Sequence, residues 1–274
     1  MSSSTQISRA YRSIRSIVNL QTVVVTVLAC LSTWTCRRLE WTGDFPLTLV
    51  GTAVIFPIVF SIGGAYKRRE AALDDYGAIK AHGRAIYFAT RDWFPDTNEH
   101  LQADVRARLF ELLDSCRTLF VNPVSEMPIH EPRVYAAFSD LSLFINGLRD
   151  RGLPSGEASR CNQFLSKMMI SFEHIKHVYQ YRTPLTLRTY SKVFIYVLPV
   201  IYGPYFAYEA ENFATELTFV MPILLSVILV SLDNIQEHLE DPFDQVGEDD
   251  VMINAEKFIE RLLDEGQSSQ RLAV

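Results

Sequence analysis

Two stretches of this chain carry no charged side chain for the length of a bilayer crossing, and nothing else in the sequence constrains its fold as tightly. Ser16–Cys36 lies between Arg15 and Arg37, and Phe45–Tyr66 lies between Asp44 and Lys67. Each holds about 21 residues or slightly more, which as a helix spans ~30 Å of hydrocarbon. Two further charge-free runs, Val193–Tyr208 and Leu217–Leu232, hold about 16 residues each, so they need upright packing, snorkelling flanks or a protein-buried end. All four read as transmembrane helices, the last two as a hairpin closed by residues 209–216. A buried soluble hairpin is the competing reading for that pair.

Whole-chain averages conceal these segments. Of 274 residues, 21 % are charged and mean hydropathy is near zero, because two different populations are averaged. Lys and Arg near the membrane ends set the orientation. Arg9, Arg12 and Arg15 precede the first segment, Lys67, Arg68 and Arg69 follow the second, and Arg188 and Lys192 precede the third; Arg37 and Arg38 argue the other way more weakly. Both termini and the long middle region are therefore expected in the cytosol, with the spans in a plasma membrane or a bacterial inner membrane. The net charge of −6 gathers at the tail, which implies no nucleic-acid partner. The first apolar run is too long for a cleavable signal. Cys30, Cys36, Cys116 and Cys161 show no C-x-x-C spacing and read as free thiols.

The spacing of apolar residues elsewhere is helical, without strand-like alternation. Ala72, Tyr76, Ile79, Gly83 and Ile86 fall on one face, so the second membrane helix is expected to continue into the cytosol as far as Pro95. Asp96-Thr97-Asn98 offers caps for a helix carrying Val105, Leu109, Leu112, Cys116 and Leu119. Pro123–Pro132 reads as a loop, Val134–Leu148 as a helix, Gly152–Gly156 as a turn, Ala158–Tyr181 as a long helix and Val251–Leu263 as a last amphipathic helix. The expected fold is all-α. Residues 1–66 hold the first two spans, 67–190 a helical cytosolic domain, 191–232 the last two spans, and 233–274 an acidic turn with a cytosolic tail helix.

Two features go beyond a bundle of spans. Thr52, Phe56 and Phe60 recur at steps of four on the second membrane helix, with Gly63-Gly64 a turn further on. Such a stripe either faces lipid or, if several copies surround an axis, forms an apolar neck that gates by dewetting. The fourth span leads into Leu239-Glu240-Asp241-Pro242-Phe243 and then Asp244, Glu248, Asp249 and Asp250, with no Lys or Arg from Asp233 onward through this run. A membrane segment is thus joined to an acidic cytosolic turn.

At these residues the chain resembles the bestrophin family, above all its short bacterial members. Phe60 followed by Tyr66-Lys67-Arg68 and Tyr76-Gly77 is similar to the family's neck Phe, an Arg two turns on, and a Trp-Gly in a charged helix. Arg182-Thr183-Pro184-Leu185 is similar to the family's turn before the third span. Asp233…Glu237…Leu239-Glu240-Asp241-Pro242-Phe243…Asp249 is the most specific block. The resemblance covers most of the chain and is weak over 95–155.

The resemblance implies a homopentameric ion channel with one axial pore, a membrane neck and a second, cytosolic constriction. By position Thr52, Phe56 and Phe60 match the neck; Thr52 replaces a family aliphatic, so a wetter outer ring is expected. The cytosolic aperture falls at Glu157 or Ala158, where no bulky aliphatic stands. Arg68, at the pore end of the span, is placed to hold permeant anions or pair with the acidic tail. In animal members the acids after Pro-Phe form a calcium clasp; here Asp241, Asp244, Glu248, Asp249 and Asp250 supply the oxygen chemistry, with Val246-Gly247 interrupting the run. The competing reading pairs these acids with basic residues of a neighbouring subunit or has them cap the tail helix. Glu240 and Asp241 are expected to be structural, through Arg or Lys partners.

Chloride or another small anion is the expected permeant ion. A cation-conducting bacterial-type bestrophin is the alternative, as is a non-conducting scaffold or a transporter. Pro57, Pro199, Gly203-Pro204 and Pro222 keep a transporter open; the lack of an intramembrane charge does not favour it. His174 and His177 share a helix face without a third ligand, so no firm metal site is expected, and calcium at the acidic turn is the one cofactor considered. Phosphate-loop, His-Glu-x-x-His and Gly-x-Ser-x-Gly motifs are missing, so an enzyme is not expected. The expected partners are the lipid bilayer, further copies of the chain and small inorganic ions.

Overall fold

The structure, a computed structural model, describes residues 18–44, 46–94, 99–181, 184–212, 218–243 and 250–272. Apart from one short 3-10 turn, Val124–Glu126, their regular elements are α-helices: α1 Leu20–Arg38, α2 Leu47–Asp92, α3 Glu99–Val121, α4 Met127–Asp150, α5 Ser155–Gln180, α6 Leu185–Ile201, α7 Gly203–Asn212, α8 Val220–Glu240 and α9 Ala255–Leu272. Among the described residues four helical segments are long and apolar enough to cross a membrane: Leu20–Arg38, Thr48–Asp92, Thr186–Ala210 and Val220–Glu240. The chain is a multi-pass membrane protein.

The helices form two compact units. The first takes α1, α2 as far as Lys67, α6, α7 and α8. Its core joins Val25 of α1, Val54 and Ile58 of α2, Ile195 and Leu198 of α6, and Leu229 of α8. α1 packs on α6, α7 and α8, and α6 on α8. α1 starts with a capping box: Asn19 Oδ1 accepts from the backbone N–H of Thr22 while Thr22 Oγ1 accepts from that of Asn19. It ends with Glu40 in the left-handed region, φ 55°, where the N–H of Trp41 reaches back to the carbonyl of Cys36 at 2.9 Å, the bond of a Schellman stop. Gly203 opens α7 against α1 so closely that a Cβ there would stand 2.2 Å from Ser32 Oγ and 3.1 Å from the Ser32 backbone.

The second unit takes α2 from Arg68, α3, α4, α5, Phe243 and the residues from Asp250. The sequence-derived faces are buried in it: Ala72, Tyr76, Ile79 and Ile86 on α2, and Val105, Leu109, Leu112, Cys116 and Leu119 on α3, all pack in one core. All four cysteines are free.

Three expected boundaries move. The stretch Pro123–Pro132 is helical from Met127. Pro128 sits in the first turn, where its N–H would have had no helical partner, and Pro132 within α4 forfeits only the bond to the Pro128 carbonyl. The tail helix begins at Ala255, not Val251, because Asn254 Oδ1 caps it by accepting from the Lys257 N–H at 2.7 Å. Val251 and Ile253 instead point into the core. The third span starts near Leu185 rather than Val193, and is interrupted at Tyr202 between Pro199 and Pro204. Its Arg188 and Lys192 are therefore helical, which removes the shortness that counting uncharged residues suggested.

Candidate pore helix and its polar seam

α2 shows two faces within the first unit. Val54, Ile58, Ser61 and Ala65 are buried at steps of four, three and four, which makes a narrow core stripe. Thr52, Phe56 and Phe60 lie on the other side and are exposed, Phe56 by 58 % and Phe60 by 70 %. Their two rings stand 5.8 Å apart between centroids, tilted by 44°. Pro57, between them, sits inside the helix and leaves the Ala53 carbonyl without its usual donor. The Thr52 hydroxyl donates to the Thr48 carbonyl at 2.6 Å. Its proton is spent within the helix, so Thr52 offers its methyl and lone pairs outward.

The other expected site residues are separated. Arg68 is half-buried on α2 and has an interaction partner. Ala158 is 2 % exposed and belongs to the core of the second unit, so it presents no side chain to an aperture; Glu157 beside it is half-exposed, with Arg160 at 3.3 Å. Glu240 is 4 % exposed; its Oε2 meets Arg188 Nε at 2.8 Å, a charge contact, and its Oε1 accepts from Gln236 Nε2 at 2.9 Å. Asp241 and Asp250 are half-buried, and each has an interaction partner. Asp244, Glu248 and Asp249 lie outside the described residues. Among the described residues no group of three His, Cys, Asp or Glu comes together to hold a metal ion. The Glu240 carboxylate is engaged by Arg188; of the five acids expected of a calcium clasp, only Asp241 and Asp250 are among the described residues. His174 faces Asp75 at 3.4 Å, and the His177 ring packs on Tyr181 at 4.8 Å.

Sequence reasoning missed a polar seam where α1, α6 and α8 meet. Asp233, Asn234 and Gln236 are each 2–3 % exposed, inside what composition presents as the edge of an acidic surface. Asn19 Nδ2 donates to Asn234 Oδ1 at 2.9 Å, so the residue that caps α1 also ties it to α8. The Tyr196 hydroxyl lies 3.0 Å from Asp233 Oδ2 and 3.1 Å from Gln21 Oε1. Lys192 Nζ stands 3.4 Å from Glu237 Oε1. The signal available was positional: Asp233 follows the apolar run directly, and Asn234 and Gln236 are uncharged among acids.

No protein-family model matches the sequence, and no curated protein matches it significantly. Solved structures do. An all-helical unit with four membrane-length helices is the class defined by the geometry above, and the bacterial bestrophin homologue from Klebsiella pneumoniae has the same fold. One of its crystal structures superposes with a TM-score of 0.71 at 15 % identity, covering 89 % of this chain and 96 % of that one. Two variants of the same homologue give 0.73 at 16 % identity, covering 89 % and 96 %, and 0.70 at 16 %, covering 89 % and 97 %. The chain has the bestrophin fold over nearly its whole length, as the resemblance in its sequence implied.

Proposed function

We propose that the chain is the protomer of a homopentameric, bestrophin-like ion channel whose axis is lined by α2. One observation carries the reading: on α2, Phe56 and Phe60 present their rings on the side away from the core stripe of Val54, Ile58, Ser61 and Ala65, in a fold shared with bestrophin homologues. Five such faces around an axis make an apolar neck. Water tends to withdraw from it, and an ion crossing it loses hydration that no polar group replaces. With the Thr52 proton engaged by Thr48, the neck carries no donor and no charge of its own. Arg68, two turns beyond Phe60, supplies positive charge at the end of the span and favours chloride and other small anions over cations. Both termini face the cytosol by the distribution of Lys and Arg.

The purified, reconstituted protein is tested by planar-bilayer recording under asymmetric chloride. A reversal potential near that of chloride supports the anion channel. A reversal potential of opposite sign assigns a cation channel with the same neck. Absence of current with intact assembly sinks the channel reading. A monomeric or dimeric mass in mild detergent sinks the pentamer.

A further inference from the structure

The Tyr196 hydroxyl on α6 faces two acceptors, Asp233 Oδ2 on α8 at 3.0 Å and Gln21 Oε1 on α1 at 3.1 Å. A phenol has one proton and cannot satisfy both. The cluster has two complete solutions. In one, Asp233 carries a proton and donates it to the phenol oxygen, while Tyr196 donates to Gln21. In the other, Asp233 is ionised and accepts from Tyr196, and the Gln21 amide turns its NH₂ to the phenol oxygen. Gln21 is exposed and free to turn, whereas Asp233 is 2 % exposed and held between helices. One proton therefore separates two hydrogen-bond arrangements of the same three residues.

The charged surroundings come from both neighbouring helices. Lys192 and Arg188 on α6 bring positive charge to Asp233, and Glu237 on α8 brings negative charge. α1 faces it with the neutral Gln21, next to the Asn19–Asn234 bond. Each member of the cluster abuts the core that seats α2. Val25 lies one turn along α1 from Gln21, Ile195 adjoins Tyr196, and Leu229 and Val230 lie a turn before Asp233; all belong to the same core cluster as Val54 and Ile58, the residues behind the neck face. We propose that Asp233, Tyr196 and Gln21 form a proton-operated latch between α1, α6 and α8 that sets how α2 presents Phe56 and Phe60. The latch rests on α2 being the pore helix, whereas the proton site does not.

Two readouts on the full-length reconstituted protein separate these. Infrared difference spectra between mildly acid and mildly alkaline buffer should show a protonated-carboxyl band that is lost in Asp233→Asn; an unchanged carboxyl region in that variant overturns the proposal. In bilayers, open probability should depend on pH in the parent. Asp233→Asn, a neutral isostere of the protonated acid, should hold the parent's acid-side value at every pH. Tyr196→Phe, which keeps the acid and removes the relay hydroxyl, should lose the pH dependence as well, and covers the case in which Asp233→Asn does not fold. Full parental pH dependence in either variant overturns the latch. An Asp233 band without current at any pH upholds the proton site and overturns the reading of α2 as a pore.

Discussion

Phe243 stacks on Phe120 in the core of the second unit, with ring centroids 5.1 Å apart and planes 24° from parallel. Tyr179 meets the edge of the same ring at 6.3 Å, and Phe243 is 1 % exposed. The most recognisable run of the sequence, Asp241-Pro242-Phe243, therefore ends in a buried aromatic cluster. Truncation of a buried Phe costs ~3–5 kcal/mol through lost transfer energy and the cavity left behind. Phe243→Ala should lower the thermal unfolding midpoint of the purified protein far more than Phe243→Leu does. Equal midpoints for the two variants would show that the ring's packing contributes little.

Phe56→Ala and Phe60→Ala should each raise conductance or open probability, because a dewetting ring is an obstacle whose removal lets water and ions through. Assembly should be intact, since both rings are exposed and the core stripe of α2 lies behind them. Single-channel recording decides it. Unaltered currents in the double variant place the neck elsewhere.

The Arg188–Glu240 pair tests the acidic turn. Glu240 is nearly fully buried at the end of α8, and Arg188 is the cation against it. Removal of one partner from a buried pair costs ~3–5 kcal/mol, because the remaining charge stays buried without compensation. Arg188→Met should reduce assembly yield and thermal stability sharply, and the double variant Arg188→Met with Glu240→Gln should recover most of both. A double variant no better than the single one would mean that the two residues act independently.

In the second unit, Lys176 Nζ lies 3.0 Å from Glu131, 2.6 Å from Glu173 and 2.6 Å from the Tyr135 hydroxyl, which in turn donates to Glu173. Burial works to raise the Glu173 pKa, but the hydrogen bonds from Lys176 and Tyr135 outweigh it and hold the carboxyl below the usual glutamate range. A group lowered on folding stabilises fully above its unfolded pKa and loses that contribution as pH falls through the lower, folded value. Burial alone would lower Lys176, yet its bonds to Glu173, Tyr135 and Glu131 hold it well above the ordinary lysine value, so its share is lost only in strongly alkaline solution. Thermal stability should thus fall on acidification below the ordinary glutamate range, and Glu173→Gln should flatten that acid limb while leaving neutral and mildly alkaline behaviour level. A parental acid limb in Glu173→Gln assigns it to other carboxylates.

Much of this architecture was legible because apolar spacing reports burial directly. The faces Ala72–Ile86 and Val105–Leu119 were read at steps of three and four, and those positions form the core. Prolines misled where their cost is small: Pro128 and Pro132 fall in the opening turns of α4, and a rule that prolines end helices places a loop there. Counting uncharged residues shortened the third span, because Arg188 and Lys192 lie within the helix and find acids on α8. The seam of Asp233, Tyr196 and Gln21 was hidden for a different reason. Its members are 37 and 175 residues apart in pairs, and each alone resembles an ordinary polar residue at a membrane edge.

α2 is 46 residues long, about 70 Å at ~1.5 Å per residue, and its residues belong to both units. The boundary between Lys67 and Arg68 thus falls in mid-helix, where there is no linker to cut. A gene fragment encoding residues 68–181 would start partway through a helical turn and would lack Phe243, Val251, Phe258 and Leu262 from its interior. Each unit is built from segments that alternate along the chain with those of the other, so a chimera with a relative cannot trade one unit for another at a single crossover.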